Sequence, residues 1–312
     1  MKDGKSRKDV VVILNGISLR KKVFYHDFYP ALAEVCNVEV RETLTKHDAI
    51  SLASKAADEY VDLIVAAGGD GTLNQVVNGV LQDRESYSRL PALSIIPIGS
   101  GNDFARTVNI KPKPDHLVSL IKAFKPKPID VGFIRFTPLD SKPDSITEKY
   151  FVNVADMGMG PEVVRRVNES ARPFGHAMAY YKSILATFIT YKPMVITAKT
   201  DDWTWTGKLR TLAVGNGKCY GHGLHIAPDA KPDDRIFNTF ICGNVSVFDF
   251  IRYTDFLKKG KHIRIPEIVY NTTTDIQITS EKPCLIEGDG EIFGQLPARI
   301  KLIQKQLDFL IP

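Results

Sequence analysis

The sequence predicts an α/β domain with a largely parallel sheet, followed by a predominantly β, sandwich-like second domain. Three observations predict it. Apolar strand-like runs alternate with amphipathic helical stretches in the first part of the chain, and strand-like runs dominate the rest. Between the two patterns, "KPKP" occurs twice, at Lys111–Pro114 and Lys125–Pro128, and each proline pair punctuates the chain.

In order, "VVVIL" (Val10 to Leu14) reads as a buried strand and "VEV" (Val38 to Val40) as a short one. "HDAISLASKAADEY" places Ile50, Ala53, Ala57 and Tyr60 at helical spacing. "DLIVAA" is a strand, and after the glycines Leu73, Val76, Val77, Val80 and Leu81 form one helix face. "ALSIIPI" is the next strand and "HLVSLIKAF" a short helix between the proline pairs. Strands then follow in "DVGFIRF", "YFVNVA", "MVITAKT", "WTWTGKLRTLAVGN", "RIFNTFICG", "DIQITS" and "RIKLI". Two helical stretches interrupt them, Glu162 to Ser170 and Gly175 to Thr190, and Thr137 to Lys149 reads as a mobile hairpin loop. The expected domains are residues 1–130 and 131–300, with the segment from about 300 to 312 returning to the first.

At 312 residues the chain has room for two domains, and 25% charged with 44% hydrophobic residues is ordinary for a globular protein. A formal net charge of +5 suits an anionic substrate or an acidic membrane surface, and no motif argues for nucleic acid. The basic start "MKDGKSRKD" precedes an apolar run too short for a signal peptide or a membrane span. Cys36, Cys219, Cys242 and Cys284 are scattered, which reads as reduced thiols in a cytoplasmic protein.

Chemistry gathers at "AAGGDGTLNQVV". A strand feeding a glycine-rich turn into a helix N-terminus presents backbone N–H groups to an anion, with the helix dipole adding to the attraction. One such turn could equally be a tight connection; it is neither a G-x-G-x-x-G fingerprint nor a Walker A box. A second loop, "PIGSGNDFAR" (Pro97 to Arg106), also follows an apolar strand and again joins glycines, a hydroxyl and an acid. Thr72 and Ser100 can donate to phosphate oxygens. Asp70 and Asp103 are misplaced beside an anion unless a divalent cation intervenes, as in phosphoryl transfer from Mg·ATP.

These two loops resemble the diacylglycerol kinase catalytic-domain family, which includes bacterial lipid kinases, sphingosine kinases and ceramide kinases. The resemblance continues in order through "YFVNVADMGMGPEVVRRVN", "VGNGKCYGHGLHIAPDAKPDDRIF" and "EGDGE" (Glu287 to Glu291). It implies the NAD kinase/diacylglycerol kinase fold and a nucleotide held by Thr43, by Gly68, Gly69, Asp70, Gly71, Thr72, Leu73 and Asn74, and by Gly99, Ser100 and Asn102. It further implies Glu291 as the general base toward a lipid hydroxyl, and Asp70, Asp103 and Asp130 as acids around a catalytic Mg²⁺ and its waters. A structural Mg²⁺ site would fall on Asp234 with the backbone of Lys231 and Ile236. The chain departs from the family pattern in three places. "NGISLRKK" from Asn15 replaces N-P-x-[SA]-G, Arg235 replaces the glycine after Asp234, and His222 interrupts a glycine run.

The expected activity is ATP-dependent phosphorylation of a lipid alcohol such as diacylglycerol or a sphingoid base, with ATP, the lipid and a membrane surface as partners. A homodimer stays open. So do an NAD kinase-like enzyme, which shares the G-G-D-G loop, and a non-catalytic binder of nucleotide or lipid. "AYYKSILATFITYKPM" (Ala179 to Met194) mixes aromatics, aliphatics and two lysines, which suits either an acyl cleft or a core helix.

Overall fold

The computed structural model describes residues 7–82, 89–139, 145–169 and 176–312. The chain divides into two units, Met1–Ile129 with Lys305–Pro312, and Asp130–Gln304.

In the first unit the chain runs β1 (Asp9–Leu14), α1 (Lys21–Val23), a π-helical turn (Phe24–Phe28), α2 (Tyr29–Val35), β2 (Asn37–Glu42), α3 (Asp48–Asp58), β3 (Leu63–Gly68), α4 (Asp70–Leu81), β4 (Ala92–Pro97), α5 (Asp103–Thr107) and α6 (Pro114–Ala123). The strands are parallel in the order β2-β1-β3-β4, with Val10 level with Leu63 and Leu63 with Ala92. β3 and β4 are buried along their whole length, which is why they read as unbroken apolar runs without alternation. One sheet face packs Val12, Leu14, Val65 and Ile96 against Phe24, Phe28, Leu32, Leu117 and Ile121. The helical segment from 21 to 35 has no counterpart among the sequence expectations; its apolar spacing is distorted by the π-helical turn.

The second unit contains most of β5 (Lys127–Thr137), then β6 (Thr147–Phe151), β7 (Val154–Gly158), α7 (Met159–Glu169), α8 (His176–Thr190), β8 (Met194–Lys199), β9 (Thr204–Leu209), β10 (Thr211–Gly215), β11 (Phe237–Cys242), α9 (Val247–Lys258), β12 (Ile268–Thr273), β13 (Asp275–Ser280), β14 (Leu285–Gly288) and β15 (Glu291–Phe309). Strands β12-β11-β10-β7-β14-β15 form one antiparallel run, while β8 links β9 to β13 and β13 pairs with β15. Phe151, Leu212, Phe237, Ile276, Ile286 and Ile300 are among the side chains of its main core. The last residues of β15 lie in the first unit, where Phe309 is level with Leu93.

Several boundaries differ from the sequence expectations. The stretch Trp203 to Asn216 is two strands, because β9 pairs with β8 while β10 pairs with β7 and β11, and Arg210 stands at the switch. Its side chain donates to the carbonyls of Val245 (2.8 Å) and Phe188 (3.0 Å). "YFVNVA" also breaks, at Val152 and Asn153, whose N–H groups are taken by Asp289. Residues Thr147–Lys149 belong to β6, which pairs antiparallel with β5; residues 140–144 of the expected hairpin loop lie outside the described residues. Ser170 and Gly175, expected helix ends, lie outside them too. α7 begins at Met159, ahead of the expected Glu162. α9 was not anticipated, although Ser246 and Asp249 form a full capping box at its start. All four cysteines are buried and none forms a disulfide.

Candidate active site

In the first unit, the loops after β1, β2, β3 and β4 leave the same carboxyl edge of the parallel sheet, where such folds bind ligands. The two glycine loops touch. Gly99 N donates to Gly68 O at 2.9 Å, and a Cβ on Gly99 would lie 2.6 Å from Gly69 N. Only glycine allows backbones this close. The first loop joins them: Asn15 donates to Thr72 Oγ1 at 3.5 Å and Gly16 N to Thr43 Oγ1 at 3.2 Å. Arg20, absent from the expected nucleotide-site residues, donates to Gly99 O at 2.6 Å. Thr43, Gly68–Asn74 and Gly99–Asp103 are therefore neighbours, with Gly71 half-buried and Ser100 exposed. Leu73 and Asn74 turn inward on α4.

Asp70 is half-buried, and its carboxylate accepts from Asp103 N (3.1 Å) and Phe104 N (3.0 Å) at the start of α5. Burial and the charge of Asp103 push its carboxyl up to about 6 despite those two donors. Asp103 is buried and pairs with Arg106 at 2.6 Å. Asn102 stands at φ 58, its amide donating to Pro97 O and Gly99 O while its buried Oδ1 has no partner. Two adjacent carboxylates, one held above its ordinary range, form a donor set that a divalent cation would relieve.

In the second unit, Asp130 is fully buried in β5. Its Oδ2 accepts from Arg235 N at 2.7 Å, its carbonyl from Asn216, and its N–H donates to Pro232 O. It thereby fixes the turn of Lys231, Asp234 and Ile236, in which Ile236 N donates to Asp234 Oδ1 at 3.3 Å. Arg235 holds φ 66 and His222 φ 65, so both keep left-handed backbone where the family pattern has glycine. Burial, with Asp130 and Asp233 nearby, raises the Asp234 carboxyl. Neighbouring carboxylates with turn carbonyls fit a hard cation.

Glu291 is half-buried and opens β15, directly after the two-residue turn Asp289–Gly290. Both turn residues have positive φ, 50 and 85, the pattern of a tight I′ hairpin. Asp289 carries the turn. Its buried carboxylate accepts from the N–H groups of Val152, Asn153 and Val154 at 2.9 to 3.1 Å. An apolar cavity also opens in this unit, about 700 Å³ with the open solvent at its mouth included, lined by Ile184 and Phe188 of α8, Phe240 of β11, and Phe250, Tyr253 and Leu257 of α9. Thr211, Tyr220 and Gly160 give it a small polar end.

A parallel α/β unit with facing glycine loops and a β-rich unit with a late acid turn define the NAD kinase/diacylglycerol kinase fold. The diacylglycerol kinase catalytic domain model matches residues 9–134, and the YegS C-terminal NAD kinase beta sandwich-like domain model matches residues 153–311. The chain belongs to the diacylglycerol kinase catalytic domain family, with a YegS-like C-terminal domain. It is 28% identical to the diacylglycerol kinase of Bacillus subtilis (strain 168) over 267 residues, 85% of this chain and 82% of that one. With the diacylglycerol kinase of Staphylococcus aureus (strain JH9) it shares 27% over 310 residues, 98% and 93% of the two chains. A diacylglycerol kinase structure from Bacillus anthracis str. Sterne has the same fold, with a TM-score of 0.70 at 21% identity over 99% of this chain and 98% of that one.

Proposed function

We propose that the protein transfers the γ-phosphoryl group of Mg·ATP to the hydroxyl of a lipid alcohol, diacylglycerol or a sphingoid base. A kinase family implies ATP as donor. The observation that carries the lipid acceptor is the cavity of the second unit, which opens to solvent and is apolar along most of its wall. A dinucleotide would strand its polar groups there, so the cavity disfavours the NAD kinase reading.

In this reading the backbone N–H groups of Gly68–Asn74 and Gly99–Asn102, with the hydroxyls of Thr43, Thr72 and Ser100, hold the nucleotide phosphates. Glu291 takes the proton of the attacking hydroxyl. Asp70, Asp103 and Asp130 would hold magnesium and its waters, and Asp234 with the carbonyls of Lys231 and Ile236 would hold a structural ion. Bound magnesium would neutralise charge on the transferring phosphoryl. Asp70 orients the second glycine loop by accepting its N–H groups.

Access to a bilayer fits the same reading. Among the described residues no helix is long and apolar enough to cross a membrane. Met178, Leu185 and Ile189 of α8 and Phe248, Ile251 and Phe256 of α9 are nevertheless exposed, Ile189 and Phe248 by nearly four-fifths. They belong to two helices that also line the cavity, so we assign them to peripheral membrane contact.

Radiolabelled ATP, offered with diacylglycerol, monoacylglycerol, ceramide, sphingosine, phosphatidylglycerol and NAD, tests the proposal. Label is expected in a lipid. Label in NAD and in no lipid would overturn it, and binding without transfer to any acceptor would make the protein a non-catalytic member of the fold.

A further inference from the structure

The turn that presents Glu291 is gripped from two sides, and one grip uses a residue with no role so far. Glu287 is buried at the end of β14, and its Oε2 accepts from Gly290 N at 2.9 Å. Across the sheet Glu287 is level with Asp156 of β7, so the two side chains share a face. Asp156 is fully buried, and Thr211 Oγ1 lies 3.1 and 3.4 Å from its two oxygens, with the Tyr220 hydroxyl as a further partner. Gly160 leaves the room: a Cβ there would overlap Asp156 Oδ2. Thr211, Tyr220 and Gly160 form the polar end of the apolar cavity. Asp156, bonded to two residues that line the cavity, is thus the cross-strand neighbour of Glu287, which holds Gly290, one residue before Glu291.

Two carboxyls facing each other away from water cannot both ionise cheaply. Burial raises both: Asp156 up to about 7, against the hydrogen bonds of Thr211 and Tyr220 that lower it, and Glu287 well above its ordinary value, with Asp156, Asp289 and Glu291 adding to the rise. The groups around them are the phenols of Tyr220 and Tyr191, the carboxyls of Asp289 and Glu291, and the thiols of Cys242 and Cys284. Burial favours the protonated form of each carboxyl, so an amide can take the place of one.

We propose that Glu287 is a positioning residue for phosphoryl transfer, holding the Asp289–Gly290 turn that presents Glu291 and tying it through Asp156 to the polar end of the lipid cavity. The inference rests on the lipid-kinase reading and on Glu291 as base. A turn gripped only by Asp289 can tilt, and misplacing a base by an ångström lowers turnover without loosening the nucleotide.

The test compares the full-length wild type with Glu287→Asp and Glu287→Gln, using the lipid that the acceptor panel identifies. Glu287→Asp withdraws the acceptor by one methylene. It is expected to lower kcat about tenfold or more while KM for ATP stays within about twofold, and Glu287→Gln, which restores the reach, to return kcat to within about threefold of wild type. Thermal melts of all three proteins, with assays run well below the lowest Tm, separate lost positioning from lost fold. Wild-type kcat in Glu287→Asp overturns the inference and leaves the lipid-kinase reading standing, as does an equal fall in Glu287→Gln. A wild type that phosphorylates no lipid overturns both.

Discussion

Single acids in this chain do two kinds of work, and the structure separates them. Asp289 spends both oxygens on three backbone N–H groups, and Asp70 spends both on the start of α5. Glu291, two residues after Asp289 in the late acid turn, is half-buried. Glu291→Gln is therefore expected to lower lipid phosphorylation by about 10²-fold or more while Mg·ATP affinity, measured by calorimetry, is kept. Asp156 permits a prediction about pH. Its folded value, about 7, lies above that of an unfolded aspartate, so the stability associated with its protonated form is whole below about pH 4 and is lost as pH rises through about 7. Asp156→Asn cannot ionise. Its Tm relative to wild type is expected to rise between pH 4 and pH 8; a difference that stays constant across that range would show that Asp156 does not titrate in the folded protein.

At the scale of elements, what the sequence disclosed depended on whether the determining contacts were local. β3 and β4 were legible because buried parallel strands are uniformly apolar, and the glycine loops because glycine, hydroxyl and acid stand together. The break at Arg210 was not, since it depends on the pairing of β10 with β7 and β11, distant in sequence. The pairing of Glu287 with Asp156 was equally hidden, because only strand register brings residues so far apart face to face. α9 was legible in principle, through its Ser246–Asp249 box. Gly79 shows the reverse case, where local rules mislead. In a helix interior, glycine to alanine ordinarily stabilises by about 1 kcal/mol. A Cβ at Gly79 would instead strike the carbonyl oxygen of Ile50 and sit 3.1 Å from Ala53 Cβ, where α4 packs on α3. Gly79→Ala is expected to destabilise by about 1–3 kcal/mol in urea unfolding.

For the molecule as a whole, the lipid-kinase proposal poses the question of how a protein whose described helices include no membrane span would reach an acceptor dissolved in a bilayer. α9 has the required two-sidedness. Phe250, Tyr253 and Leu257 line the cavity, whereas Phe248 and Ile251 are exposed, by 78% and 58%, on a helix that also carries Arg252 and Lys258. Burying one such side chain in an apolar phase contributes about 1.5–3 kcal/mol, and basic neighbours add attraction to anionic headgroups. Replacing both Phe248 and Ile251 with aspartate forfeits the burial of two side chains and sets new negative charge against the lipid surface. Flotation with vesicles of phosphatidylcholine and phosphatidylglycerol is expected to recover at least about tenfold less of the double variant than of wild type. Turnover of a short-chain lipid alcohol dissolved below its aggregation threshold should be unchanged, because neither side chain lines the cavity. Equal losses on dissolved and bilayer substrate would place Phe248 and Ile251 in the fold of the second unit, and equal flotation would move the membrane contact away from α9.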